Sequence, residues 1–393
     1  MTQRDLFIIL ATTFGSMALL YAPQPLFPLI AEEFGVTETT AASLVTWSLA
    51  PMAIVPLFAG LIMQTAAPRH VLAASATLLA VSEGVFAWFD LFGGLLAIRF
   101  LQGALVSTLL AATMTYVSLR AERVARIMSF YVGASVLGGL IGRLVVGYGA
   151  PIVGMPVVFS GIGAFVLAAA VGAWRLSPEP HRPARHLDLS RLQGALTTLP
   201  LVLLYGVVFA AFFVFTALLN FVPFRVDLFM PGDTGAAGLV YIGFLFGLAA
   251  SLLSERVSQA VGGAVQAIAL GSVVLGAALL LAGFDAFTVL LASIVCASAG
   301  FFLVHAVLSG YINRHAGEDA SVINGLYVSI YYAGGAAGSY VPGLVYEAAG
   351  WYAFLGSLVV VSATGLGLLW VATRLPSLET ALSDAATSNA RPS

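Results

Sequence analysis

Lysine is absent from this 393-residue chain, and Cys296 is its only cysteine. One cysteine excludes an intrachain disulfide and a thiolate metal cage. Charge of either sign is scarce: Asp, Glu and Arg make up 9% of the residues, 60% are hydrophobic, and the mean hydropathy is +1.00. No soluble fold hides that much apolar surface, so the composition is that of a membrane protein with many crossings. The net charge is −2, and the sixteen arginines lie singly or in short clusters rather than on one basic face, which leaves no nucleic-acid partner. Walker-type loops, His-Glu-x-x-His and Ser/His/Asp arrangements are missing as well, so neither an enzyme nor a cofactor is expected.

What the chain does hold is apolar runs. A crossing takes about 20 apolar residues, and spans at 6–31, 41–63, 70–89, 92–118, 124–149, 153–175, 197–223, 235–254, 262–284, 286–312, 319–345 and 350–373 predict twelve helices. The first has only Arg4 ahead of it and no small-residue cleavage site, so it is expected to stay in the mature chain. Pro23, Pro25 and Pro28 are expected to kink its second part and free backbone carbonyls to line a cavity.

Thirteen arginines fall at the termini or in alternate loops: Arg4, Arg69, Arg120, Arg123, Arg126, Arg175, Arg182, Arg185, Arg191, Arg256, Arg314, Arg374 and Arg391. The opposite face has Arg225 alone. Positive charge near a crossing stays cytoplasmic. Both termini and the segment 176–196 are therefore predicted cytoplasmic. Residues 1–175 and 197–375 read as two six-helix halves, 176–196 as the linker between them and 376–393 as a disordered tail. A shift of 200 residues lays Ser129, Tyr131 and Gly138 on Ser329, Tyr331 and Gly338, within the fifth and eleventh helices, and puts Arg143 opposite Gly343. Parallel six-helix repeats predict an all-α membrane fold of two pseudo-symmetric halves, with the substrate site near the midplane.

Arg99, Arg143, Glu83 and His305 stand well inside the spans, away from their ends. A guanidinium at membrane depth costs at least about 2.5–3.5 kcal/mol unless it is compensated, so Arg99 and Arg143 each point to a polar pathway or to a side chain reaching an interface. Arg99 and Gln102 are three apart and share one helical face. Glu83 lies about 20 Å up its helix, level with Arg99, and either pairs with it or reaches the headgroups. His305 either titrates near neutral pH or is a hydrogen-bonded structural residue. The other candidate cavity groups are Tyr21, Gln24, Asn220, Tyr331 and Tyr332. Most remaining acids sit near helix ends, and no proton-carrying carboxylate is evident in the first helix. The small residues of the fifth and eleventh helices, Gly133, Gly138, Gly142, Gly334 and Gly338, are expected to serve close packing or gating.

Arg99-Phe-Leu-Gln102-Gly103 resembles the Arg-x-x-Gln-Gly motif of the twelve-helix drug:proton antiporters of the major facilitator superfamily. With Gly138-Gly139-Leu-Ile-Gly142-Arg143, Tyr331-Tyr332-Ala-Gly334-Gly-Ala-Ala-Gly338 and Gln24-Pro25-Leu-Phe-Pro28-Leu, the chain is similar to the acriflavine-sensitivity branch. The resemblance implies a cavity-facing Arg99 engaged in proton coupling. The chain departs from the family pattern at Gly139, which replaces a proline, and at Arg143, which replaces a glycine. It departs again after the second helix, where Gln64 and Thr65 stand in place of an aspartate and an arginine; Glu255-Arg256 keeps the charged pair in the second half.

The resulting expectation is a proton-coupled secondary active transporter that exports small amphipathic molecules by alternating access. Arg99, Gln102, Glu83, Arg143 and His305 would serve coupling, and Tyr21, Gln24, Asn220, Tyr331 and Tyr332 the substrate. The expected partners are a small-molecule substrate, protons and membrane lipids, with the chain a monomer. Two arginines and few acids leave open an exporter or facilitator of organic anions or sugars. A membrane receptor that does not transport is a further alternative.

Overall fold

A computed structural model describes residues 1–180, 189–317, 320–375 and 380. Part of the expected linker, 181–188, and the expected tail apart from residue 380 lie outside the described residues. Every described element is helical. Helix α1 (Gln3–Tyr21) starts where the Thr2 side chain accepts from the Asp5 amide and ends before Pro23 and Pro25, which have no N–H to continue it. A 3-10 turn (Gln24–Leu26) leads into α2 (Phe27–Phe34), which Gly35 stops with φ of 60°. Then come α3 (Glu38–Thr65), capped by Thr37, α4 (Pro68–Ala87), with proline in its first turn, and α5 (Phe92–Arg120). α6 (Val124–Val153) and α7 (Met155–Ala173) meet at Gly154, whose φ is 86°. They are followed by α8 (Leu189–Thr197), α9 (Leu199–Phe229), α10 (Thr234–Leu239) with its Asp233 cap, and a 3-10 turn (Val240–Gly243). The chain continues through α11 (Phe244–Leu252), α12 (Ser254–Val261), α13 (Ala264–Ala282), α14 (Phe287–His315), α15 (Ala320–Gly338) and α16 (Val341–Ala372).

Among the described residues, eleven stretches are long and apolar enough to cross a bilayer, and the last, Val322–Ala372, runs 51 residues. At about 1.5 Å per residue that is roughly 76 Å, twice what a core of about 30 Å needs. Gly350, with φ of 77° and ψ of −173°, breaks it inside α16. Counted that way the chain makes twelve crossings, as the sequence predicts.

The chain forms two compact units, Met1–His186 with Leu219–Ile242, and Leu187–Leu218 with Gly243–Ser393. The sequence places 197–375 in a single half; here the last part of α9, with α10, joins the first unit. In the first unit α1 packs on α6 and α7, α3 on α5, and α4 on α5 and α7. Its core includes Ile9, Leu72, Ala76, Leu109, Tyr116 and Ala170. In the second unit α14 packs on α13 and α11, and α13 on α16. On α4 the pattern of faces is plain: Ala76, Ala80, Glu83 and Ala87 are buried, while Leu78, Val81 and Val85 are exposed, as a lipid-facing surface requires.

Glycines zip one helix pair in each unit. A Cβ on Gly138 or Gly142 of α6 would come within 3 Å of the Phe14 or Ala18 carbonyl of α1. In the second unit Gly334 and Gly338 of α15 meet the carbonyls of Phe209 and Phe213 of α9 in the same way. The glycine seams thus repeat with an offset of 196 (138 to 334, 142 to 338), which sets Arg143 opposite Ser339. The sequence-based offset of 200 is one helical turn out, because small residues spaced by four make adjacent registers look alike. Gly133 does not belong to the seam: it lies five residues before Gly138, about 140° around the helix, and a Cβ there meets nothing within 4 Å.

Candidate functional site

Arg99 is fully buried on α5, and one of the carbonyls that it donates to has lost its helical donor. Leu19 and Leu20 precede the break in α1. The Leu19 carbonyl would take its helical bond from residue 23, but Pro23 has no N–H. Arg99 Nη1 donates to it at 3.4 Å, and Nη2 donates to the Leu20 carbonyl. Nε donates to the Leu44 carbonyl of α3 at 3.3 Å, and the guanidinium lies 5.7 Å from the Phe86 ring centroid. Arg99 therefore braces the kink that the proline cluster makes, a role that the sequence reading did not assign.

The same guanidinium starts a polar chain. Arg99 Nη1 donates to Gln102 Oε1 at 2.8 Å, and Gln102 Nε2 donates to Glu83 Oε2 at 2.8 Å. Glu83 is 1% exposed, and its Oε1 has no hydrogen-bond partner. Glu83 and Arg99, which the sequence sets at one level, are thus joined through Gln102, and neither side chain reaches out to an interface.

A second polar group surrounds Arg143, which is 1% exposed. Its Nε donates to Gln24 Oε1 at 2.6 Å and its Nη1 to the Gly139 carbonyl at 2.8 Å. The guanidinium is sandwiched between Tyr21 and Tyr241, 4.5 Å from each ring centroid. Gln24 Nε2 donates to Asn220 Oδ1 at 2.5 Å. Pro223, inside α9, repeats the logic of Pro23: it leaves the Leu219 carbonyl without a helical donor, and Tyr241 Oη donates there at 2.9 Å. Close backbone approach holds this group together, since Thr234 Oγ1 donates to the Gly147 carbonyl at 2.7 Å and Gly238 packs on the Arg143 carbonyl. The structure so gathers Tyr21, Gln24, Arg143 and Asn220 and adds Tyr241, a residue with no motif around it to mark it.

His305, Tyr331 and Tyr332 lie together in the second unit. Tyr327 Oη is 3.0 Å from His305 Nδ1, and the His305 and Tyr331 ring centroids are 4.8 Å apart. Tyr331 meets Tyr332 edge to face at 4.9 Å.

At one end of the first unit a charged cluster has formed that the sequence reading missed. Asp5 falls within α1, which begins earlier than the apolar span, and is fully buried. Its Oδ1 accepts from the Ser177 amide at 3.3 Å and the Ser177 hydroxyl at 3.2 Å, while Arg120 stands 4.0 Å from Oδ2. Tyr116 Oη donates to the Ser177 carbonyl at 2.8 Å, and Glu179 accepts from the Arg69 amide at 3.3 Å. The first residues after α7 are tied down by α1, α4 and α5. Thr2 followed three residues on by an acid was the available signal. Of the expected loop motifs, Gln64 and Thr65 form the end of α3, their side chains lying outside the described residues. Glu255 sits in the first turn of α12 and accepts from Gln259 at 3.4 Å.

Residues 9–339 match the model of the family described as the Major Facilitator Superfamily. The inner membrane transport protein YnfM of Escherichia coli (strain K12) is 28% identical over 376 residues, covering 92% of this chain and 88% of its own. The uncharacterized MFS-type transporter YybF of Bacillus subtilis (strain 168) is 25% identical over 372 residues, covering 92% and 91%. Among solved structures, a point mutant of the nucleoside transporter NupG superposes with a TM-score of 0.75 over 94% of this chain and 99% of that one, at 12% identity, a likeness of fold.

Proposed function

Because this chain belongs to the Major Facilitator Superfamily, we propose that this membrane transporter is a proton-coupled exporter of small amphipathic molecules that works by alternating access. The observation that carries the reading is the buried chain from Arg99 through Gln102 to Glu83, with Glu83 Oε1 unpartnered. A carboxyl can exist with or without its proton. As a carboxylate it accepts strongly from Gln102, and a proton weakens that acceptance. Gln102 passes the change to Arg99, and Arg99 holds the break in α1. Loading a proton at Glu83 thereby loosens the helix that carries Tyr21 and leads to Gln24. In this reading the chain lies in the inner membrane of a bacterium as a monomer among lipids, with both termini and 176–196 cytoplasmic, as the arginine distribution favours.

The test is flux in proteoliposomes, with a cationic dye and a panel of organic anions, with and without a pH gradient. Glu83→Gln keeps the hydrogen-bonding shape but carries no titrating group. It is expected to abolish gradient-driven flux while leaving exchange without a gradient. Retention of both the rate and its pH dependence would make Glu83 structural and remove the coupling reading. A second reading, export or facilitated passage of organic anions, is favoured by the buried Arg143 beside Gln24 and Asn220. Anion flux without dye flux would select it.

A further inference from the structure

Arg143 is held within the first unit in the way that a bound cation is held. Tyr21 covers one face of its guanidinium and Tyr241 the other, each ring centroid 4.5 Å away. Acceptors meet the rim: Gln24 Oε1 takes Nε at 2.6 Å, and the Gly139 carbonyl takes Nη1 at 2.8 Å. Aromatic faces about a cation, with acceptors at its edge, are the means by which proteins recognise organic cations as ligands. The flatness of the guanidinium lets both faces be covered at once, as a tetrahedral ammonium does not.

The walls of this sandwich have supports of their own. The Tyr241 hydroxyl donates to the Leu219 carbonyl at 2.9 Å, so its ring does not depend on the arginine for its place. Gln24 Nε2 donates to Asn220 Oδ1, which turns Gln24 Oε1 toward the guanidinium. Gly139 supplies room, since a Cβ there would stand 3.3 Å from Arg143 Nη1 and 3.5 Å from Tyr21 Cδ2. The two places where α6 departs from the family pattern, Gly139 and Arg143, thus meet in one contact. Tyr241 and Arg143 are buried and Tyr21 is half-buried, so the accessible side of the sandwich is at Tyr21. Without the side chain beyond Cβ, rings, amide and carbonyl would face a space the shape of an ethylguanidinium ion.

We propose that Tyr21, Tyr241 and Gln24 form a binding site for a planar organic cation of the guanidinium class, and that Arg143 is its resident occupant. The wild-type chain carries its own ligand there and is closed to free cations at that site. Arg143 then sets specificity by filling a site as well as by its charge. The inference concerns occupancy and holds whether or not Glu83 couples flux to protons.

The test measures binding of ethylguanidinium, the part of the arginine side chain beyond Cβ, to the purified full chain in detergent by calorimetry at constant ionic strength. Wild type is expected to show no binding, and Arg143→Ala to bind with a Kd on the order of 1 mM. Propylammonium, charged but not flat, and ethylurea, flat but neutral, are expected to bind Arg143→Ala at least about tenfold more weakly. Adding Tyr21→Leu should weaken ethylguanidinium binding about five- to tenfold, while Tyr21→Phe keeps it. If Arg143→Ala aggregates on its own, ethylguanidinium present throughout purification is expected to restore monodisperse protein where ethylurea does not. Equal binding by wild type and Arg143→Ala overturns the resident-occupant reading. Neither binding nor recovery of Arg143→Ala, equal binding of either analogue, or affinity unchanged by Tyr21→Leu overturns the site.

Discussion

Gln24 and Asn220 hydrogen-bond to each other across 196 residues of sequence, and Gln24 passes the contact on to Arg143. The offset is the one that relates the two glycine seams. Through this pair the end of α9 is fastened to the broken end of α1, and Thr234 on Gly147 fastens α10 to α6. In the alternating-access reading proposed above, such a fastening is undone once per cycle.

That requirement gives a measurable outcome. Val222 is fully buried in the same part of α9. In a Cys296→Ala background, Val222→Cys should react slowly with a hydrophilic thiol reagent. Adding Asn220→Ala removes the amide contact, and a hydrogen bond worth about 0.5–1.5 kcal/mol corresponds to roughly two- to tenfold faster labelling. An unchanged rate means that the pair does not hold this region shut.

Arg99→Ala should destabilise the fold as well as impair coupled transport. It strips donors from the Leu19 and Leu20 carbonyls and from Gln102, each buried group costing about 1–3 kcal/mol when left unsatisfied. Arg99→Lys recovers only part, since an ammonium lacks the planar fork. Adding Pro23→Ala to Arg99→Ala restores an N–H for Leu19 and should raise the thermal midpoint again. If it does not, the brace is not what Arg99 supplies.

Arg143 places a fixed positive charge beside Tyr21 and Gln24. Neutral, zwitterionic and anionic compounds are therefore expected to compete for transport better than dications. Arg143→Ala should relax this bias, and Arg143→Lys, which keeps the charge, should preserve it. Strong dication export by the wild type, unaltered in Arg143→Ala, rules the idea out.

The glycines separate by position rather than by residue type. Gly138→Ala drives a methyl group into the Phe14 carbonyl and should cost roughly 1–3 kcal/mol. Gly133→Ala meets open space and should stabilise its helix by up to about 1 kcal/mol. Equal thermal midpoints for the two variants would contradict the seam.

The helices were legible because apolar length and proline placement are local signals. Pro23 and Pro25 announce the end of α1, and Gly350 falls at the start of the twelfth expected span. The partners of the buried charges were not legible. Depth along a helix put Glu83 level with Arg99, but nothing local shows that Gln102 stands between them or that a carbonyl freed by Pro23 waits for Arg99. Tyr241 was invisible for the same reason, its role being set by Arg143 and Leu219 from distant parts of the chain. Asp5 was passed over because it precedes the apolar run, although α1 already includes it.

Helix α9 is divided between the two units, up to Leu218 in one and from Leu219 in the other. The chain passes from one unit to the other within that rod. The rod is softest there, because Pro223 removes the backbone bond to Leu219 and a single tyrosine hydroxyl replaces it. α9 is then a leaf spring with a built-in notch. If the proposed transport cycle bends α9, the energy of flexing it enters the cost of every turnover, and the stiffness of one helix contributes to how fast the protein can cycle.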